Sequence, residues 1–347
     1  MMLFRPARRI LCILMCLVIA FSFSACGETK ENQKQVKAMK TLFTITAYGK
    51  DTSDALNSAE ATVLAVDSLS DVDLYTSTCN MLNTAQGEVV NVSGQIAEML
   101  IDAKEIYERS GGAYDITSYP LSGLWGFTDG RYYIPTDAEI SEALARLCMD
   151  QLTISNFKMS GTYAVQMPSY GEVSFLTCAK GCAAKYAIDA MRKNGVQSGI
   201  VSLEGFVETL GMKPDGTPWG VGIVDPHSPS TYLGVISVGE MALSTTGSYQ
   251  QYMPSNPDYH YILSTKTGYP VTNGLQSLTV LCEDGTYADC LSHAMYALGQ
   301  NGALNYWRTY GGFEMIMINK DGEVICTSGL LEQFDLRNSN YTLHYVE

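Results

Sequence analysis

The chain has 347 residues, 46% of them apolar, enough for one large or two modest domains around a sizeable core. Its 22 Lys and Arg stand against 36 Asp and Glu, a formal net charge of −14, and no block of like charge interrupts the sequence. Composition therefore offers no basic face for neutralising phosphates, which excludes a general nucleic-acid binder.

The first 26 residues, MMLFRPARRILCILMCLVIAFSFSAC, combine Arg5, Arg8 and Arg9 with an apolar run from Ile10 to Ala20 and small residues before Cys26. This is the pattern of a secretory signal and not of a membrane span. The ending Phe23-Ser24-Ala25-Cys26 is similar to a bacterial lipobox, which predicts diacylation of Cys26; plain cleavage and a retained anchor are the alternatives. Residues 1–25 are then a lipoprotein signal peptide, 26–38 a polar tether, and 39–347 one folded domain. The expected location is outside the cytoplasm, on the cell membrane through a lipid anchor.

Ten cysteines are present, but Cys12 and Cys16 fall in the signal and Cys26 is the lipidation candidate. The remaining seven are scattered and odd in number, so they read as buried small apolar residues and not as a disulfide framework. Cys178 and Cys182 match neither zinc nor redox spacing, and with four His in the chain a zinc site is not expected.

MKTLFTITAYG (39–49) alternates Phe43, Ile45 and Ala47 with polar residues, as a strand does. A helix follows with Leu56, Ala59, Val63 and Val66 on one stripe. In VSGQIAEMLIDAKEIYERSGG, Ser93 is the candidate cap, Ile96, Met99, Leu100, Ala103 and Tyr107 the buried face, and Gly111 and Gly112 the stop. Pro135, Thr136 and Glu139 open the next helix as a capping box. From residue 171 the elements mix: a helix near 179–193, strands at GIVSL, WGVGIV, LGVISV and SLTVLC, a helix around Asp289, and FEMIMIN turning at KDGE. The order is that of an α+β protein, without internal repeats or a clear interdomain linker.

In TYADCLSHAM, Asp289 and His293 lie four positions apart on one helix face. A carboxylate and an imidazole at that spacing suit a metal site, an acid/base pair or a wet surface. The chain contains no phosphate loop, dinucleotide fingerprint, H-E-x-x-H or G-x-S-x-G.

Several blocks in sequence resemble the ApbE family, the FAD:protein FMN transferases, across nearly the whole mature chain. MKTLFTITAYG is similar to the family's first strand, which usually starts Met-Gly-Thr. LSDVDLYTSTCNMLN resembles its Leu-Ser-x-Tyr-x-x-x-Ser-x-x-x-x-Leu-Asn segment, and SGGAYDITSYPLSGLWGF its Gly-Ala-Phe-Asp-x-Thr-x-x-Pro-Leu-x-x-Leu-Trp-Gly-Phe stretch. AKG (179–181), KPDGTPWGVGIVDP, LSTTGSYQQY, KTGYPV and YADCLSHAMYALG follow in the family's order.

The resemblance implies a single α+β domain of the ApbE type, related to the T-fold. It also implies a magnesium-dependent reaction, with Mn²⁺ as the other candidate, in which a threonine hydroxyl of an acceptor flavoprotein attacks the FMN phosphorus of FAD and AMP leaves. Such chemistry runs on positioning and charge neutralisation, so one carboxylate and a few oxygen ligands suffice. By resemblance Asp289 is the catalytic metal ligand and Thr177 supplies a carbonyl; His293 stands where the family has a hydroxyl and either joins them on the metal, where imidazole suits Zn, Mn or Fe better than Mg²⁺, or fills that space without binding. Met39, Tyr75, Ala113, Tyr114, Asp115, Ser174, Lys180, Glu204, Gly205, Thr246 and Leu263 are the implied FAD contacts, while Trp125 reads as packing.

The chain also departs from the family pattern. Ser174 replaces an Asp, Leu176 and Thr177 replace two glycines, Phe206 replaces a second acid, and Tyr261 and Ser264 replace a His and an Asp, although His260 is adjacent. These losses leave two rivals to FMN transfer: a flavin-binding lipoprotein whose catalytic set has decayed, and a pyrophosphatase that splits FAD into FMN and AMP.

Overall fold

The computed structural model describes residues 30–156 and 162–347; the expected signal peptide and Cys26 lie outside the described residues. At its centre is a nine-stranded sheet whose strands lie side by side in chain order. They are β1 (Glu31–Ala38), β2 (Thr41–Tyr48), β3 (Gly199–Leu203), β4 (Phe206–Leu210), β5 (Ala242–Gly247), β6 (Leu275–Cys282), β7 (Glu314–Asn319), β8 (Glu323–Thr327) and β9 (Thr342–Val346). Neighbours are antiparallel except β8 and β9.

The period of two along these strands builds two cores. Val201, Phe206 and Ala242 face the larger one, under the helices α1 (Ser53–Ser70), α2 (Gly94–Arg109), α3 (Ala179–Lys193) and α4 (Gly285–Tyr310). Their sequence neighbours Ile200, Val207 and Leu243 face the smaller one. It is shared with the three-stranded sheet of Trp219–Asp225, Ser228–Val238 and Phe334–Leu336. The expected α+β architecture is present, the stripe Leu56, Ala59, Val63 and Val66 is buried, and all seven described cysteines are buried and unpaired. The capping box at Thr136 and Glu139 forms. Ser93 precedes α2 as expected, but its side chain makes no cap bond.

One boundary needs correction: residues 31–38, expected as part of the tether, are strand β1, paired over its whole length with β2. Its polar composition is that of an edge strand, where charge discourages pairing with another chain. The β1–β2 turn consists of Met39 and Lys40, both at positive φ (49° and 59°), the conformation that a two-residue hairpin of primed type demands. The Met39 N–H donates to Asp67 on α1 at 2.8 Å, which ties the turn to the helix.

Helices α3 and α4 touch at their N-terminal turns. A Cβ on Gly181 would lie 2.1 Å from the Gly285 carbonyl oxygen and 2.7 Å from Asp289 Cβ, so only glycine permits this approach. Gly181→Ala should push the helices apart and cost about 1–3 kcal/mol, read as a lowered urea midpoint. Lys40→Gly should be neutral to about 1 kcal/mol stabilising, since relief of the left-handed strain opposes glycine's entropy; clear destabilisation would show that the turn is not strained.

Candidate functional site

A cleft of about 620 Å³ runs along the helix-side ends of the central strands, a size within the ~300–1,000 Å³ typical of cofactor and drug-sized ligand sites. The β1–β2 turn brings Met39 to it, and the segment after α2 brings Ala113, Tyr114 and Asp115. The approach to α3 adds Ser174, Thr177 and Lys180, the tight β3–β4 hairpin adds Glu204 and Gly205, and Leu263 closes another side. Asp289 and His293 enter from α4.

Asp289 is only 5% exposed. Its Oδ1 accepts from Ser244 Oγ and its Oδ2 from the Gly181 N–H, each at 3.0 Å. Burial pushes its carboxyl up to about 6, against the pull of the Gly181 N–H, the Lys180 ammonium and the Ser244 hydroxyl. An ionised Asp289 here is thus short of positive charge. Gly181 is the third residue of α3, so its N–H has no carbonyl partner within the helix and is free to donate to Asp289, and among the described residues the Thr177 carbonyl, which lies ahead of the helix cap, accepts no backbone bond. A hard dication fits this donor set, since it needs carboxylate and carbonyl oxygens and retains waters for its other positions. Lys180, in no ion pair among the described residues, adds a second positive charge suited to phosphate oxygens.

His293 is held from behind. Its Nδ1 lies 3.1 Å from Thr246 Oγ1 and 3.3 Å from the Asp289 carbonyl oxygen. Thr246 and Ser292 share a hydrogen bond at 2.8 Å, and Ser292 and Ser244 one at 3.0 Å, so a chain of hydroxyls links His293 to the Asp289 carboxylate. Burial pushes the imidazole down to about 4, with Lys180 adding to the shift and the Asp289 carbonyl opposing it.

Two implied contacts fall elsewhere. Tyr75 is 80% exposed in the turn after α1 and is not a cleft residue, because that turn's hydrogen bonds are local and leave the ring in solvent. Thr246 is fully buried one layer behind the cleft, where it orients His293. Trp125 is buried and donates to the Gly268 carbonyl, as its packing role requires. Asp115 caps its own turn through Thr117 while lining the cleft.

Phe206 and Tyr261 line the cleft at the positions of the missing acid and histidine. Adjacent His260 does not replace the latter: it is buried against the Val271 carbonyl and is not a cleft residue. Sequence reasoning passed over Tyr119, Phe127, Gln250 and Gln251, which line the cleft from within the matched blocks. Glu98, Asp102 and Asp284 also come close enough to share a cation, but the Lys185 ammonium already pairs with Glu98 and Asp284.

Asp289 and His293 couple the cleft to pH with opposite signs. The folded protein keeps the Asp289 proton to about pH 6 against 3.8 when unperturbed, so stability falls as pH rises through that interval. It refuses the His293 proton until about pH 4 against 6.5, so stability falls as pH drops through that one. In chelator, Asp289→Asn should therefore gain on the parent protein as pH rises from 4 to 7, and His293→Thr should gain as pH falls; urea midpoints across that range test both.

Comparison with known proteins matches the ApbE family over residues 39–317. The FAD:protein FMN transferase of Haemophilus influenzae is 27% identical over 302 residues, covering 83% of this chain and 87% of its own. That of Salmonella typhimurium is 27% identical over 328 residues, covering 90% and 93%. Among solved structures, the ApbE protein of Thermotoga maritima superposes with a TM-score of 0.75 at 25% identity, over 85% of this chain and 96% of its own. The apo flavinyl transferase ApbE of Pseudomonas stutzeri reaches 0.77 at 24% identity, over 90% and 100%. The chain belongs to the ApbE family.

Proposed function

We propose that this protein transfers the FMN half of FAD to a threonine hydroxyl of an acceptor flavoprotein and releases AMP. One observation carries the reading: a buried carboxylate, Asp289, faces a cofactor-sized cleft with too little positive charge around it and a free carbonyl acceptor at Thr177 close by. The relatives' name, FAD:protein FMN transferase, supports the same chemistry.

Asp289 and the Thr177 carbonyl would hold Mg²⁺ or Mn²⁺. A dication held there would supply neutralisation of the diphosphate and of the charge on the leaving phosphate. Ser244 and the Gly181 N–H fix the carboxylate, leaving its remaining lone pairs for the ion. Lys180 stabilises the phosphate oxygens, while Met39, the 113–115 segment and the Glu204–Gly205 hairpin enclose the dinucleotide. The acceptor oxygen forms a bond to the FMN phosphorus, the anhydride P–O bond breaks with its electron pair passing to the departing AMP, and the hydroxyl proton is released to solvent. Cys26 would carry the lipid that tethers the domain on the extracytoplasmic face of the membrane, with β1 beginning a few residues beyond it.

The test is to incubate the purified domain with FAD, Mg²⁺ or Mn²⁺, and an acceptor domain carrying a flavinylation threonine, following acceptor mass and AMP. Mass gain with stoichiometric AMP is expected, and Asp289→Ala should lower the rate at least ~100-fold by removing the cation's anchor. AMP with unmodified acceptor would identify an FAD pyrophosphatase, and bound flavin without AMP a binding protein; either would overturn transfer.

A further inference from the structure

We propose that His293 is itself a ligand of the site's cation, through Nε2, and that this protein therefore favours a first-row transition dication over Mg²⁺. The proposal rests on the reading of Asp289 as the cation's anchor and concerns which ion that anchor shares with a nitrogen donor.

The tautomer follows from the partners. The Asp289 carbonyl can only accept, so a hydrogen bond across its 3.3 Å contact with His293 Nδ1 requires the ring's proton on Nδ1 and leaves the lone pair on Nε2. Thr246 Oγ1, 3.1 Å from Nδ1, holds the same edge from strand β5. On the other side the Tyr261 ring meets the imidazole edge to face, with centroids 5.9 Å apart and planes at 76°. The ring is thus fixed in one orientation before any ligand arrives. Among the described residues nothing pairs with Nε2, although the ring lines the same cleft as Asp289.

The four-residue spacing sets both side chains on one face of α4, and the helix breaks only later, at Gly299. A histidine whose Nδ1–H is tied to a backbone carbonyl and whose Nε2 is open in a cleft that a carboxylate also lines has the usual arrangement of a metal-binding imidazole with its outer partner. Imidazole nitrogen adds little for Mg²⁺, which demands oxygen ligands and sheds water reluctantly, whereas transition dications accept it readily.

The probe is Mn²⁺, added to the chelator-stripped protein with and without FAD. Pulsed electron paramagnetic resonance should show the ¹⁴N coupling of a directly bound imidazole, lost in His293→Thr, which puts an oxygen donor at that position. Calorimetric titrations should show Mn²⁺ preferred to Mg²⁺ in the parent protein, and the ratio of the two affinities should shrink about tenfold or more in His293→Thr. Bound Mn²⁺ without nitrogen coupling, or an unchanged affinity ratio in His293→Thr, would overturn the role of His293 while leaving the Asp289 anchor intact. Mn²⁺ binding that survives in Asp289→Ala, or no Mn²⁺ binding at all, would instead remove the anchor and the proposal with it.

Discussion

The hydrogen bond from the Gly181 N–H to the Asp289 carboxylate joins the start of α3 to the first turns of α4, and most of the site is arranged around it. It requires a glycine, because any Cβ at 181 would collide with the Gly285 carbonyl. It gives a partner to a first-turn N–H that has none within its helix, while the Thr177 carbonyl, ahead of the cap, accepts no backbone bond among the described residues. It also buries a carboxylate whose charge two neutral donors and a nearby ammonium only partly offset. On the proposed reading, this carboxylate and the Thr177 carbonyl are the two protein oxygens that would hold a hard cation, with waters in its other positions.

The central sheet explains how segments far apart in sequence reach that contact. Because its strands are adjacent in chain order, each connection on the helix side is a separate excursion that returns to the next strand. The excursion between β2 and β3 delivers Ala113 to Asp115, Thr177 and Lys180; the one between β6 and β7 delivers Asp289 and His293. Short hairpins at β1–β2 and β3–β4 place Met39 and Glu204–Gly205 at the same mouth. The second core, between the nine-stranded and three-stranded sheets, lies across the sheet and leaves the helix side free for the cleft.

The departures from the family pattern sort by position. Phe206 and Tyr261 put apolar and phenolic surface where an acid and an imidazole are usual, and burial holds the Tyr261 phenol well above its ordinary range. His293 brings an imidazole back into the same cleft from a different element, in edge-to-face contact with Tyr261. The redistribution changes which atoms face a ligand without disturbing the Asp289–Gly181 contact or the fold that makes it.

Much of this was legible in the residues. Period-two alternation marked β2, the Leu56–Val66 stripe marked α1, and the spacing of Asp289 and His293 placed them on one helix face, because these patterns are local consequences of strand and helix geometry. The blocks shared with the ApbE family located most of the cleft. The polar β1 read as a tether because an edge strand needs little apolar character, and only its partner β2 shows that it is a strand. Tyr75 and Thr246 look like contacts in a linear motif, yet one stands in solvent and the other behind the wall, since the side a residue faces is set by neighbours distant in sequence. The same holds for the chemistry of Asp289 and His293: the sequence by itself determined their types and spacing, and only tertiary burial decided their charge, their tautomer and the open acceptors around them.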